Sequence, residues 1–425
     1  MKKRALGLFL AVAMVAGLAA GCGSTSDSTT TTDTTASEST TATESVTSET
    51  SEADAAQEAT DIKVGVIYVG DENEGYTASH MEGIEKMMES LGLSEDQVIE
   101  KTNIPEDESA YDAAVDLADQ GCNIIFATSF GHEDYLIQAA TEYPEIQFAH
   151  ATGYQAALSG LTNMHNYFTS IYEARYVSGI VAGLKLNEMI DAGEITADQA
   201  KMGYVGAFPY AEVVSGYTSF YLGAKSVCPT VTMDVQYTNS WADMSTEAEV
   251  ASQLIANGAK LISQHADTTG APSTCEAAGV PCVGYNVDMT SVAPSTAMTS
   301  PYINWGAYYT YAVQSVMTGT EFSTDWCQGY VDDAVGITAL NTAVIAEGTD
   351  AKAAEAEAAI IAGTLHVFDT TTFTIGGSTI EDLIASDEAY AKYADYVSDG
   401  YFHESELSSA PSFDLRIDGI TELTQ

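Results

Sequence analysis

Lys63-Val-Gly-Val-Ile-Tyr-Val-Gly70 is a short apolar run closed by glycine. Unbroken apolarity over so few residues marks a strand buried on both faces. A helix is predicted over 79–90, and another over 111–120 is ended by Gly121. Cys122-Asn-Ile-Ile-Phe-Ala-Thr128 is a second buried strand. Residues 133–143 read as helix and 146–150 as strand. Strands alternating with helices argue for parallel βαβ units.

The same grammar restarts further on. Lys201-Met-Gly-Tyr-Val-Gly-Ala-Phe208 is a strand. A helix is predicted over 246–257, with Thr246 and Glu249 as a capping box and Gly258 past its end. Strands follow over 260–265 and 281–286. Ala114, Leu117, Gly121 and Ile125 match Ala251, Leu254, Gly258 and Ile262, each 137 residues later (251−114, 254−117, 258−121, 262−125). Gly65 and Gly203 open corresponding strands 138 residues apart (203−65). The near-constant offset points to a duplicated α/β lobe. In open parallel sheets, ligands sit beyond the carboxyl ends of the strands. Two facing lobes would line one cleft with those ends.

The chain begins differently. Lys2, Lys3 and Arg4 precede an apolar run over 6–18, and then come Leu18-Ala-Ala-Gly-Cys22. A basic start, an apolar stretch and small residues at a cleavage point make a secretory signal. The run is too short to span a bilayer, which needs roughly 20 apolar residues. The cysteine at the cleavage point resembles a bacterial lipoprotein signal, with Cys22 as the lipidated first residue. Residues 23–61 have no aromatic residue and no Lys or Arg. Such a tract cannot bury enough surface to fold. As a flexible coil it would average about 35 Å end to end. The expected location is the outer face of the cell membrane, held only through the lipid.

Net charge is −47, from 61 acidic and 14 basic residues. So anionic a particle repels phosphate backbones, which excludes nucleic acid as a partner. Cys122, Cys228, Cys275, Cys282 and Cys327 fit no zinc spacing. Cys275 and Cys282 could pair in an exported protein, although buried free thiols are the simpler reading. No histidine stands at metal-ligand spacing from another His or Cys, and no metal or cofactor is expected. There is no Gly-x-Ser-x-Gly elbow, Walker loop or Gly-x-Gly-x-x-Gly after a strand. The chain reads as a binding protein, not an enzyme.

The strand-end loops are 71–76, 128–132, 208–210, 265–270 and 286–288. From these and from nearby positions, Tyr76, Phe130, Phe208, Trp241 and Trp305 are the candidate aromatics. Asp243, His265, Asp267, Asn286 and Asp288 are the candidate polar groups. Aromatics stack on a flat ligand, at about 1–3 kcal/mol per contact for a nucleobase. Carboxylates accept hydrogen bonds from its N–H or hydroxyl groups. The loops hold no Arg or Lys, which an anionic ligand would want, so a neutral or weakly cationic ligand is expected. Plainer alternatives stand beside these roles: Phe208 and Trp305 as core, Asp243 as a helix cap, His265 as a buried structural histidine.

Eight pieces also occur in a familiar order. They are Val64-Gly-Val-Ile-Tyr-Val-Gly70, Ala127-Thr-Ser-Phe-Gly131, Phe148-Ala-His-Ala-Thr-Gly153, Ile171-Tyr-Glu-Ala-Arg-Tyr-Val-Ser-Gly-Ile-Val-Ala-Gly183, Gly203-Tyr-Val-Gly-Ala-Phe-Pro209, Gln264-His-Ala-Asp267, Gly284-Tyr-Asn-Val-Asp-Met289 and Asn304-Trp-Gly306. Together they resemble the basic membrane protein family of substrate-binding lipoproteins, which includes purine nucleoside receptors of ABC importers. The resemblance runs over about 61–330 and is weaker beyond. It implies a type I periplasmic-binding-protein fold: two similar parallel-sheet lobes joined by a three-crossing hinge. Lobe one is expected at 62–167 plus 300–332 and lobe two at 168–299 plus 333–425, with crossings near 166–169, 296–302 and 331–337. Nucleoside-binding members carry an Asp in the loop occupied here by 129–132 and a late Lys, neither of which is found. The Thr-Ser-Phe-Gly and Gln-His-x-Asp pieces resemble a sister branch that binds free bases.

The expectation is therefore a monomeric, lipid-anchored receptor that closes on a purine base or nucleoside and hands it to an ABC permease. The alternatives are a sensor that presents its closed form to a membrane signalling partner, and a receptor for another small neutral ligand.

Overall fold

The computed structural model describes residues 62–424. The lipidation site expected at Cys22 and the acidic tract over 23–61 lie outside the described residues. In chain order the strands are Val64–Ile67 (β1), Val98–Lys101 (β2), Ile124–Ala127 (β3), Gln147–Ala151 (β4), Met164–Thr169 (β5), Lys201–Gly206 (β6), Thr232–Tyr237 (β7), Leu261–Gln264 (β8), Cys282–Val283 (β9), Pro301–Ile303 (β10), Asp325–Gln328 (β11), Val335–Ile337 (β12), Val397–Ser398 (β13), Tyr401–Phe402 (β14) and Ile420–Glu422 (β15).

They form two large sheets. One has the order β11-β5-β4-β3-β1-β2 and the other β15-β7-β6-β8-β9. Every pairing within both is parallel. Central strands are buried along their length: no residue of β1, β3 or β8 is exposed. Parallel strands covered on both faces need such continuous apolar runs.

The repeat read from the sequence has a structural counterpart. β1 pairs with β3 through Gly65↔Ile125, and β6 pairs with β8 through Gly203↔Ile262. A Cβ at Gly65 would lie 2.9 Å from Leu117 Cδ1, and one at Gly203 would lie 3.0 Å from Leu254 Cβ. Leu117 and Leu254 are themselves a repeat pair. In both lobes a leucine from the helix before the third strand seats on the bare glycine of the first. That close approach explains why glycine stands at both positions.

The chain leaves the first sheet after Thr169. Asn166, Tyr167, Phe168 and Thr169 still pair with Asp325, Trp326, Cys327 and Gln328 of β11. β10 and β12 form a separate antiparallel pair, Pro301↔Ile337 to Ile303↔Val335. The C-terminal segment closes the second sheet through β15, which pairs with β7.

Two helices form the base of the second lobe, Ile171–Asp191 and Ala211–Val227. They cross at glycines: a Cβ at Gly179 would lie 2.0 Å from the Phe220 carbonyl oxygen, and one at Gly223 would lie 2.0 Å from that of Tyr176. The predicted helix over 79–90 spans Gly75–Leu91, because the Glu74 carboxylate accepts from the Tyr76 and Thr77 amides and starts it earlier. The helix predicted over 246–257 spans Met244–Ala256. Its cap is Asp243, not Thr246. Cys275 and Cys282 are buried free thiols. No helix among the described residues is long and apolar enough to cross a membrane.

Candidate functional site

The strand orders place a switch point between β1 and β3 in one lobe and between β6 and β8 in the other. Adjacent crossovers there leave on opposite faces, so the loops beyond the carboxyl ends splay apart and open a crevice. A cavity of about 360 Å³ lies at these ends and is lined from both lobes. Lobe one supplies Glu74 and Tyr76 after β1, Thr128, Ser129 and Phe130 after β3, and Thr152 after β4. Lobe two supplies Phe208 and Glu212 after β6, 239–242 after β7, His265 and Asp267 after β8, and Tyr285 after β9.

The lobes touch at the cavity edge. The Gly75 amide of lobe one donates to the Asp267 carbonyl of lobe two at 3.0 Å. At the mouth, Phe130 meets Tyr210 across the cleft, with ring centroids 5.7 Å apart. Tyr210 stacks on Phe208 at 5.1 Å, and Phe208 meets Trp241 edge-on at 5.1 Å. Phe130 and Tyr210 remain 41% and 44% exposed, so they form the rim and not the core. Tyr76 is fixed more deeply by its hydroxyl, which donates to the Thr128 carbonyl at 2.7 Å.

Asp267 is the dominant polar group. It is 6% exposed, and Oδ1 accepts from Asn286 Nδ2 at 2.8 Å. Burial pushes its pKa well above the usual carboxylate range, and the carboxylates of Glu74, Glu247 and Glu212 add to the shift. Burial also raises Glu74. His265 is the reverse case. Burial and the nearby Arg175 guanidinium push its pKa down to about 4, so the ring is neutral at pH 7. Its Nε2 lies 3.2 Å from Glu212 Oε1 and its Nδ1 3.4 Å from the Tyr204 hydroxyl, which accepts from Arg175 Nη1 at 2.6 Å. The pattern assigns Nε2–H as the donor to Glu212. A buried relay from Arg175 through Tyr204 and His265 thus orients the Glu212 carboxylate. Arg175 also lies 3.9 Å from the Tyr285 ring centroid and steadies that wall by a cation–π contact. No Lys or Arg lines the cavity among the described residues.

A family model described as ABC transporter substrate-binding protein PnrA-like matches residues 61–370. A purine-binding protein of Brucella abortus (strain 2308) is 34% identical over 318 residues, covering 74% of this chain and 85% of that protein. The chain belongs to the PnrA-like family. As an ABC transporter substrate-binding protein, it binds a small molecule outside the cytoplasm and delivers it to a permease. A Haloferax volcanii protein, provisionally named an ABC transporter glucose-binding protein, is 34% identical over 198 residues, covering 47% of each chain. A solved solute-binding protein of an ABC transporter system from Conexibacter woesei superposes with a TM-score of 0.59 at 19% identity, covering 72% of this chain and 98% of that one, which shows the fold.

Within this PnrA-like receptor the cavity brings together six of the ten residues singled out in the sequence: Tyr76, Phe130, Phe208, Trp241, His265 and Asp267. The other four stand elsewhere. Asp243 is exposed and caps the helix Met244–Ala256, accepting from the Ser245 and Thr246 amides. Asp288 is exposed and caps the short turn Met289–Ser291 through the Thr290 amide. Asn286 is buried behind Asp267 and reaches the cavity only through it. Trp305 is 1% exposed core: it stacks on His80 at 3.9 Å and donates Nε1–H to Ser79 Oγ at 3.2 Å. Each of the four sits near a strand end or helix start, but Asp243 and Asp288 turn to the backbone, Trp305 to the core and Asn286 to the Asp267 carboxylate. Glu74, Glu212 and Tyr285 were not selected from the sequence. Glu74 lies inside the acidic run Asp71-Glu-Asn-Glu-Gly75. Tyr285 lies one position before Asn286, and Glu212 lies four positions after Phe208.

Proposed function

We propose that this protein is a lipid-anchored receptor for a purine base, which it captures between its two lobes and passes to an ABC permease. The observation that carries the reading is the pairing of a buried carboxylate, Asp267, hydrogen-bonded by the neutral Asn286 amide, with aromatic walls contributed by both lobes. A purine ring stacks on Tyr76, Phe208 or Trp241, and its N–H edge donates to Asp267. A cavity of about 360 Å³ is near the small end of ligand sites, about 300–1,000 Å³. That size suits a free base better than a nucleotide, whose phosphates the surrounding carboxylates would repel. The named specificity of the Brucella abortus relative supports the same ligand class. The two lobes, near 62–167 plus 300–332 and 168–299 plus 333–425, would open about the β10–β12 pair.

Cys22 carries the anchor in this reading, and the acidic tract lets the receptor swing to its permease at raised effective concentration. Cys22→Ser is expected to move the protein from the membrane fraction to the soluble fraction. Retention of the variant at the membrane would refute the anchor alone.

Isothermal titration of the full chain with adenine, guanine, hypoxanthine, adenosine and glucose tests the cargo. A free purine base is expected to bind at least tenfold tighter than adenosine, with no heat from glucose. Binding of glucose and of no purine would replace the cargo and leave the receptor assignment standing.

A further inference from the structure

The cleft holds more negative charge than its contents can balance, and that charge comes from both lobes. Glu74 belongs to lobe one, and Glu212 and Asp267 to lobe two. The bond that joins the lobes here, Gly75 N–H to the Asp267 carbonyl, is made by the residue after Glu74. A Cβ at Gly75 would stand 3.0 Å from that oxygen, so glycine permits the approach. Closure therefore carries Glu74 toward Asp267 and removes water from both.

Three carboxylates act on Asp267: Glu74, the cap residue before the helix Gly75–Leu91, Glu247 of Met244–Ala256, and Glu212 from the first turn of Ala211–Val227. Asp71 adds to the charge at Glu74 from the same loop. The neighbouring cation is Arg175, which offsets part of this charge; its Nη1 donates to the Tyr204 hydroxyl and the Gln264 carbonyl, and its guanidinium lies over the Tyr285 ring. His265, Tyr76 and Tyr285, which also face the site, are neutral at pH 7, and the further carboxylate in the lining, Glu106, accepts from Ser129 Oγ and the Gly131 amide. Asp267 finds only a neutral donor, Asn286 Nδ2.

We propose that closing the two lobes takes up a proton at the Glu74–Asp267 junction. The ligand's N–H donors would then do at neutral pH what the proton does in acid; that clause alone rests on the purine reading.

The sign follows from the two conformations. In the closed form Asp267 and Glu74 hold protons more tightly than ordinary carboxylates. Opening returns water to both. Closure is therefore most favoured below the ordinary carboxylate range near pH 4. It weakens as pH rises toward the raised closed-form values, by up to about tenfold per pH unit for each proton. Above those values it no longer depends on pH.

Hydrogen exchange at the Gly75 amide reads closure directly, because its acceptor lies in the other lobe. The full chain without ligand would be compared at pH 5.5 and 7.5, with rates corrected for intrinsic exchange and β3 amides as the internal control. Protection at Gly75 is expected to be about tenfold or more higher at pH 5.5. Asp267→Asn keeps an acceptor for Asn286, and Glu74→Gln keeps one for the helix start. Each is expected to shrink the pH effect to about twofold or less. Equal protection of the wild type at both pH values would overturn the proposal, as would an undiminished pH effect in both variants. Because no ligand is present, failure to bind adenine would sink the purine reading and leave this one intact. Tight adenine binding with pH-independent protection would do the reverse.

Discussion

Asp267→Asn is expected to weaken purine binding by about 10²-fold or more while leaving the ligand-free protein at least as stable. The carboxylate is the buried acceptor in the cavity wall that a ligand N–H edge would meet. Hydrogen bonds to charged groups contribute about 1.5–3 kcal/mol each, so losing two costs about 3 kcal/mol or more. Every 1.4 kcal/mol is a factor of ten in affinity. The amide also turns a donor toward the ligand's own donors, so the wall opposes the ligand it had received. Stability moves the other way. The asparagine carbonyl still accepts from Asn286 Nδ2, and the repulsion from Glu74, Glu212 and Glu247 is relieved. Calorimetry with adenine and urea unfolding of the ligand-free chain check the two halves separately. An unchanged affinity would remove Asp267 from the site.

Gly179→Ala should give the largest loss of stability. Its Cβ would come within 2.0 Å of the Phe220 carbonyl oxygen, with the Ala224 amide nitrogen at 3.1 Å. Both obstacles are backbone, so no side chain can swing aside. The helices Ile171–Asp191 and Ala211–Val227 must separate instead. Overpacking of this kind costs about 1–3 kcal/mol, and more where backbone has to move. Alanine's intrinsic helix advantage over glycine, about 1 kcal/mol, is too small to offset it. Separation would also displace Arg175 and Glu212, which those helices carry into the site, so affinity should fall together with stability. Gly223→Ala, facing the Tyr176 carbonyl at the same crossing, is expected to behave alike. Unfolding midpoints equal to the wild type in both variants would show that the crossing has slack.

These two cases mark where the sequence was legible. β1, β3, β6 and β8 could be read directly, because strands covered on both faces show as unbroken apolar runs. The repeat was readable for a related reason: glycine and leucine must recur together wherever the helix seats on the strand. The helix Ile171–Asp191 was touched only by a family motif, over 171–183, and Ala211–Val227 was not read at all. They are buried on nearly every side and show no amphipathic period. β10, β13 and β14 have two or three residues each, too few for a pattern. In the cleft, position along a strand end located Asp267 and Tyr76. Side-chain direction did not follow from position, so Asp243 and Asp288 proved to be caps and Trp305 proved to be core. Glu74 and Glu212 carry little signal in a chain with 61 acidic residues. The relay from Arg175 through Tyr204 to His265 joins residues 29 and 61 positions apart, a link that only the fold makes.

A crystal structure of the full chain with adenine tests the central claim most directly. The account expects the ring inside the cavity, in contact with Tyr76, Phe208 or Trp241, and with an N–H within hydrogen-bond distance of Asp267. Adenine bound at another surface, or in the cleft without a contact to Asp267, would contradict it.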